Sequence, residues 1–238
     1  MLAERTIRTT LAASALAVTT LLATACSPGA GAGPGSGGDS GSGGGSGGGS
    51  AARGTALAAV ETLTVKGRAP KTGYEREKFG RAWVDVDGNG CGTRDDILKR
   101  DLTGVRFTDG RCKVASGTLT DDPYTGTTVR FVRGRSKVDI DHVVALSDAW
   151  QKGAGKWDGE TRRRFANDPL NLLAVDAATN RRKSDGDAAT WLPPNKAYRC
   201  TYVARQIAVK KKYGVWVTAG ERDAMKRVLA GCPRQKLP

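Results

Sequence analysis

Histidine is almost missing from this chain: its 238 residues hold one, His142, beside 38 lysines and arginines. That excludes every metal centre built on two or three imidazoles. Cysteine is scarce as well, five in all, and no two are spaced C-x-x-C, which argues against a zinc finger or ribbon. The apolar stretch from Leu11 to Leu22 falls short of the ~20 residues that cross a bilayer. No internal repeat is visible, so a solenoid is not expected.

What the first 50 residues do contain is a leader and a tether. Arg5 and Arg8 precede the apolar stretch, and the small residues Ala23-Thr24-Ala25 precede Cys26, so residues 1–25 read as an export signal. The arrangement resembles a bacterial lipoprotein signal with Cys26 lipidated, although Ala23 stands where leucine is usual. Ordinary secretion is the alternative. Residues 27–50 are almost wholly Gly, Ser, Ala and Pro, and 26–50 is expected to form a flexible linker with a reach of roughly 27 Å. The remainder, 51–238, is long enough for one domain with a real core.

Setting Cys26 aside leaves Cys91, Cys112, Cys200 and Cys232. In an oxidising compartment an even number suggests two disulfides, and proximity favours Cys91–Cys112 and Cys200–Cys232 among three possible pairings. The formal charge of +14 belongs entirely to the domain, because the two acids and two bases of residues 1–50 cancel. Such a balance suits a polyanion, nucleic acid above all, or an anionic cell surface.

Along the domain, Thr55–Leu63 and Tyr74–Trp83 are helix-compatible. The run D85-V-D-G-N-G-C-G-T-R-D-D96 matches calcium-loop spacing at Asp85, Asp87 and Asn89, with Asp96 in place of the usual glutamate. A structural Ca²⁺ is one reading. The favoured one is an Asx-rich turn leading into a helix from Thr93. Val105–Phe107 and Cys112–Leu119 flank Asp109-Gly110 as a hairpin, and Thr127–Val132 is a further strand. Val138–Val144 and Leu170–Asp176 read as strands, separated by helices at 146–151 and 159–167. Ala177–Lys183 is a short helix, and 196–212 and 218–230 are two longer ones.

The order strand with Asp141-His142, strand with Asn171, helix with Asn180 and Lys183 carries the functional signal. "DHVVAL", "NDPLNLLAVD" and "TNRRKSD" resemble the ββα-metal finger of HNH nucleases. "TGYEREKFG", "DVDGNGCGTRDDIL" and "TWLPPNKAYRC" are similar to secreted members of the GmrSD C-terminal type. The resemblance implies an α+β fold with a ββα-metal core over about 137–185, a small hairpin region, flanking helices and disulfides. It further implies an exported endonuclease that cuts DNA, with RNA a second candidate, leaving 5′ phosphate and 3′ hydroxyl. Nothing resembles a separate sequence-reading module, so low sequence specificity is expected.

Neutral imidazole suits His142 to deprotonating water. Mg²⁺ or Mn²⁺ would be held by Asp141 and Asn180, the resemblance implies that Asn171 helps orient His142, Lys183 would hold a phosphate, and Arg181 and Arg182 would attract the strand. Taken singly, each residue has a purely structural reading, and Asp141 and His142 should face opposite ways unless the strand ends there. Trp150 and Trp157, in the long insertion, are expected to pack it onto the body. The competing function is a non-catalytic polyanion-binding lipoprotein on a nuclease scaffold.

Overall fold

Two strands that bury both of their faces lie at the centre of the protein. A computed structural model describes residues 52–238; the expected signal, the linker and Cys26 lie outside the described residues. Strands β1 (Thr103–Phe107), β2 (Val114–Leu119) and β3 (Val129–Val132) form one antiparallel sheet in that order. β4 (Val138–His142) and β5 (Leu172–Asp176) form a separate antiparallel ribbon. Around them pack helices α1 (Ala56–Val60), α2 (Thr93–Asp101), α3 (Leu146–Gln151), α4 (Gly159–Ala166), α5 (Ala177–Lys183), α6 (Arg199–Tyr213) and α7 (Ala219–Ala230). The class is α+β, and the disulfides are Cys91–Cys112 and Cys200–Cys232.

The two-residue period of a strand explains the layering. Ile140, Leu172 and Ala174 join α2 and the three-stranded sheet in one apolar cluster. Leu173 and Val175 point the other way, into a cluster with α1, α6 and α7. A third cluster gathers Phe79, Ala149, Phe165 and Val209, and Trp150 and Trp157 pack against it. The Trp157 ring lies 5.4 Å from Phe165 and 5.9 Å from Tyr213, so the insertion is held by its aromatics.

Several elements are shorter than the sequence predicts, each for a local reason. Only Arg76–Phe79 of the 74–83 stretch is helical, a single 3-10 turn, because Gly80 takes φ 78° and ends it. β2 starts at Val114 because Asp109 Oδ1 accepts the amides of Arg111, Cys112 and Lys113 and holds them in the turn. β4 stops at His142 rather than Val144 because a side chain replaces the ladder. Asn171, fully buried, accepts the Val144 N–H through Oδ1 at 2.9 Å and donates through Nδ2 to the Val144 carbonyl at 3.3 Å. Upstream, Asp168 Oδ1 caps the Leu170 N–H at 2.9 Å, so β5 begins at Leu172.

A buried ionic cluster joins the helical half. Lys152, with 0% exposure, places Nζ 2.7 Å from Asp148, 2.8 Å from Asp187 and 2.7 Å from Glu221. Lys210 reaches Glu221 at 2.9 Å, and Arg68 bridges Asp148 at 2.8 Å and Asp187 at 2.7 Å. Burial alone would lower the Lys152 ammonium from its ordinary 10.5, but Asp148 and Glu221 outweigh it and raise it. Burial would raise Asp187, and Lys152 and Arg68 outweigh that too, holding it below 3.8.

Two outcomes follow for stability. Lys152→Met strands buried carboxylates and should cost about 3–5 kcal/mol in urea denaturation, whereas Asn171→Ala should cost about 1–3 kcal/mol. With pH, the Lys152 contribution is complete below 10.5 and is lost as pH rises through the higher native value. That of Asp187 is complete above 3.8 and lost as pH falls through the lower native value. Denaturation midpoints should therefore fall on both sides, the acid fall beginning below 6.5, where the buried neutral His142 also loses its contribution, and the alkaline fall should shrink in Lys152→Met.

Candidate active site

Asp141 and His142 reach a common cleft because β4 ends between them and the turn that Asn171 holds. The cleft, of about 240 Å³, is bordered by Tyr74, Arg76, Asp141, His142, Asn180 and Asp185 among others. Helix α5 supplies Asn180. Asp176 ends β5 and immediately caps α5, its Oδ1 accepting the Thr179 N–H at 2.7 Å. Asn180 and Lys183, three residues apart, then share the helix face that meets β4.

His142 is 8% exposed, and its Nε2 lies 2.8 Å from the Ala166 carbonyl oxygen. A carbonyl can only accept, so Nε2 carries the proton and Nδ1 the lone pair. Burial pushes the imidazole from 6.5 down to about 3, against the Ala166 hydrogen bond and helped by the charges of Arg76 and Lys183. The ring is therefore neutral. Trp83 stacks on it with centroids 6.3 Å apart and planes at 20°, and Arg94 lies over the same Trp83 ring.

Asp141 is also buried, and accepts the Tyr124 O–H at 2.5 Å. Burial raises its carboxyl above 3.8, with Lys183 and Tyr124 pulling the other way. Burial and the Asp141 charge raise the Tyr124 phenol well above 10, so it stays a donor. Asn180 donates through Nδ2 to Asp139 Oδ2 at 3.4 Å. The donors at the cleft are thus hard oxygens, from the carboxylates of Asp141 and Asp185 and the carboxamide of Asn180. They fit a small hard cation that keeps several waters better than a soft one. Among the described residues no three His, Cys, Asp or Glu side chains converge on a metal position.

Lys183 differs from its expected place. Its ammonium is turned inward rather than toward a phosphate, donating to Asp141 Oδ1 at 3.0 Å and to the His142 carbonyl at 2.9 Å, with the side chain wholly buried. A carboxylate removed from water needs a counter-charge, and the spacing from Asn180 aims Lys183 at it. Arg181 and Arg182 are exposed and do not border the cleft; Arg182 donates to Thr179 Oγ1 at 2.7 Å. The Asp85–Asp96 loop lies elsewhere and closes as Asx turns. Asp85 accepts the amides of Gly88 and Gly90 at 2.8 Å each, and Asn89 donates to Asp87 and Asp96. The Gly90 amide bond foremost lowers the Asp85 carboxyl, and α2 begins at Thr93.

Sequence reasoning missed Asp139, Tyr124, Tyr74, Arg76 and Trp83. Asp139 was visible in principle, since it stands two before Asp141 on the same strand face. The others come from segments far along the chain, with no local spacing to mark them.

The comparisons bear on this site. An Arthroderma benhamiae (strain ATCC MYA-4681 / CBS 112371) protein named "Uncharacterized secreted protein" is 41% identical over 180 residues, covering 75% of this chain and 85% of that one. No solved structure matches the chain. No helix among the described residues is long and apolar enough to cross a membrane. Residues 92–228, which carry both strands of the ribbon and α5, match "GmrSD restriction endonucleases, C-terminal domain". With more than half of its length in that match, the chain belongs to this nuclease-related family.

Proposed function

We propose that the protein is an exported, metal-dependent endonuclease of the HNH type. Its substrate is DNA, with RNA the second candidate, cut with little sequence preference. The observation that carries this reading is the single cleft bordered by Asp141, His142 and Asn180 at the point where β4 ends and α5 packs against it. Outside the cell it is either free or held by a lipid on Cys26.

His142 is the general base. Its Nδ1 lone pair takes a proton from water while the Ala166 carbonyl holds the Nε2–H and fixes the ring. An imidazole with a pKa near 3 is a weak base, and a phosphodiester anion drawn beside it raises that value. The hydroxide attacks phosphorus, the bond to the 3′ oxygen breaks with its electron pair, and the 3′ oxygen takes a proton from solvent water, which leaves 5′ phosphate and 3′ hydroxyl while His142 returns its proton to solvent. Asp141 and Asn180 would hold one Mg²⁺ or Mn²⁺, which supplies charge stabilisation at the phosphate and the leaving oxygen. Lys183 is a positioning residue: it balances Asp141 and grips the His142 carbonyl. Arg181 and Arg182, exposed on α5, draw the nucleic-acid backbone toward the cleft.

Protein stripped of metal, incubated with supercoiled plasmid, should nick it only when Mg²⁺ or Mn²⁺ is returned. His142→Ala should slow nicking on the order of 10²- to 10⁴-fold while DNA retention in a gel shift is unchanged. Retention without cutting under any ion would make the protein a polyanion binder instead.

A further inference from the structure

The cleft has an imbalance that the residues assigned so far do not resolve. A phosphodiester brings one negative charge, and its transition state concentrates more on the non-bridging oxygens. Yet the charged side chains bordering the cleft are Asp141, Asp185 and a single cation, Arg76. Lys183 is spent on Asp141, and Arg181 and Arg182 lie outside the lining.

Resting on the nuclease reading above, we infer that Arg76 is the residue that grips the scissile phosphate. Among the described residues Arg76 forms no ion pair, although other cations of the same segment do: Lys71 with Asp185 at 2.9 Å and Lys78 with Glu75 at 3.8 Å. The Lys71 pair neutralises Asp185, so the Arg76 charge stands uncompensated on the cleft wall. Arg76 is exposed but not loosely held. It begins the 3-10 turn that ends in Phe79, which is 1% exposed and packs against Tyr74, Trp150 and Phe165. Arg162 Nε secures the same turn by donating to the Lys78 carbonyl at 2.8 Å.

Arg76 also borders the narrow hollow beside His142 that Trp83 and Ala166 line, so a phosphate it holds is next to the base. A guanidinium matches two phosphate oxygens at once, which an ammonium cannot. The residue lies before the family match, which begins at residue 92. A segment outside that core thus completes the cleft.

The test is single-turnover cleavage of a duplex oligonucleotide with Mg²⁺ by the native protein, Arg76→Ala, Arg76→Lys and His142→Ala. Arg76→Ala should lose on the order of 10²- to 10³-fold in cleavage rate, with an unchanged melting temperature. DNA affinity, read by fluorescence anisotropy, should change far less. Arg76→Lys should recover the rate only in part, and guanidinium ion added to Arg76→Ala should restore some of it. An active native protein whose Arg76→Ala variant cuts equally well overturns the role of Arg76 and leaves the nuclease standing. So does a loss that tracks unfolding and resists guanidinium. A native protein inert on DNA and RNA with every divalent ion overturns both.

Discussion

Three buried carboxylates, two buried lysines and the outer guanidinium of Arg68 hold the helical half of this domain in place. Lys152 and Asp148 come from α3 and its end, Lys210 from α6, Glu221 from α7, Asp187 from the segment after α5, and Arg68 from the strap that precedes the core. Removing such charges from water is costly unless every one is paired, so the elements have little choice of relative position. Ser147 and Asp185, which border the cleft, each stand within two residues of a cluster carboxylate. The cluster therefore fixes the back of the cleft without entering it.

The reacting end is built with the same economy. Tyr124, Asp141 and Lys183 form a chain of hydrogen bonds that ends on the His142 carbonyl, while the His142 ring is held by Ala166 and faced by Trp83. Asn171 touches neither ring nor carboxylate of this chain of contacts. It holds the backbone just past His142, so the strand ends where two side chains of opposite facing can share one space.

Much of this was legible in the residues. The strand–strand–helix order around His142, the hairpin at Asp109-Gly110 and the packing role of Trp150 and Trp157 were readable from spacing and composition, and proximity favoured, among three possible pairings, the two disulfides that form. The less legible part is where long side chains point. Lys183 and Lys210 sit in basic runs, Arg181–Lys183 and Lys210–Lys212, whose residue types give no inward direction. Each is the one member of its run that turns inward, because a buried carboxylate waits there. No local pattern announces a partner 42 or 11 residues away, and none brings Arg76 or Trp83 to His142.

The Cys200–Cys232 bridge joins the start of α6 to the second residue beyond α7, across a separation of 32 residues. Closing a loop of that size removes about 4 kcal/mol of chain entropy from the unfolded state. Lys210 and Glu221 both lie inside the loop. If the two helices part, these charges remain leashed to one another at high effective concentration, and rejoining is an intramolecular event. The bridge thus acts as a memory of the pairing: the half of the core whose charges are most expensive to expose is also the half least able to lose its partner.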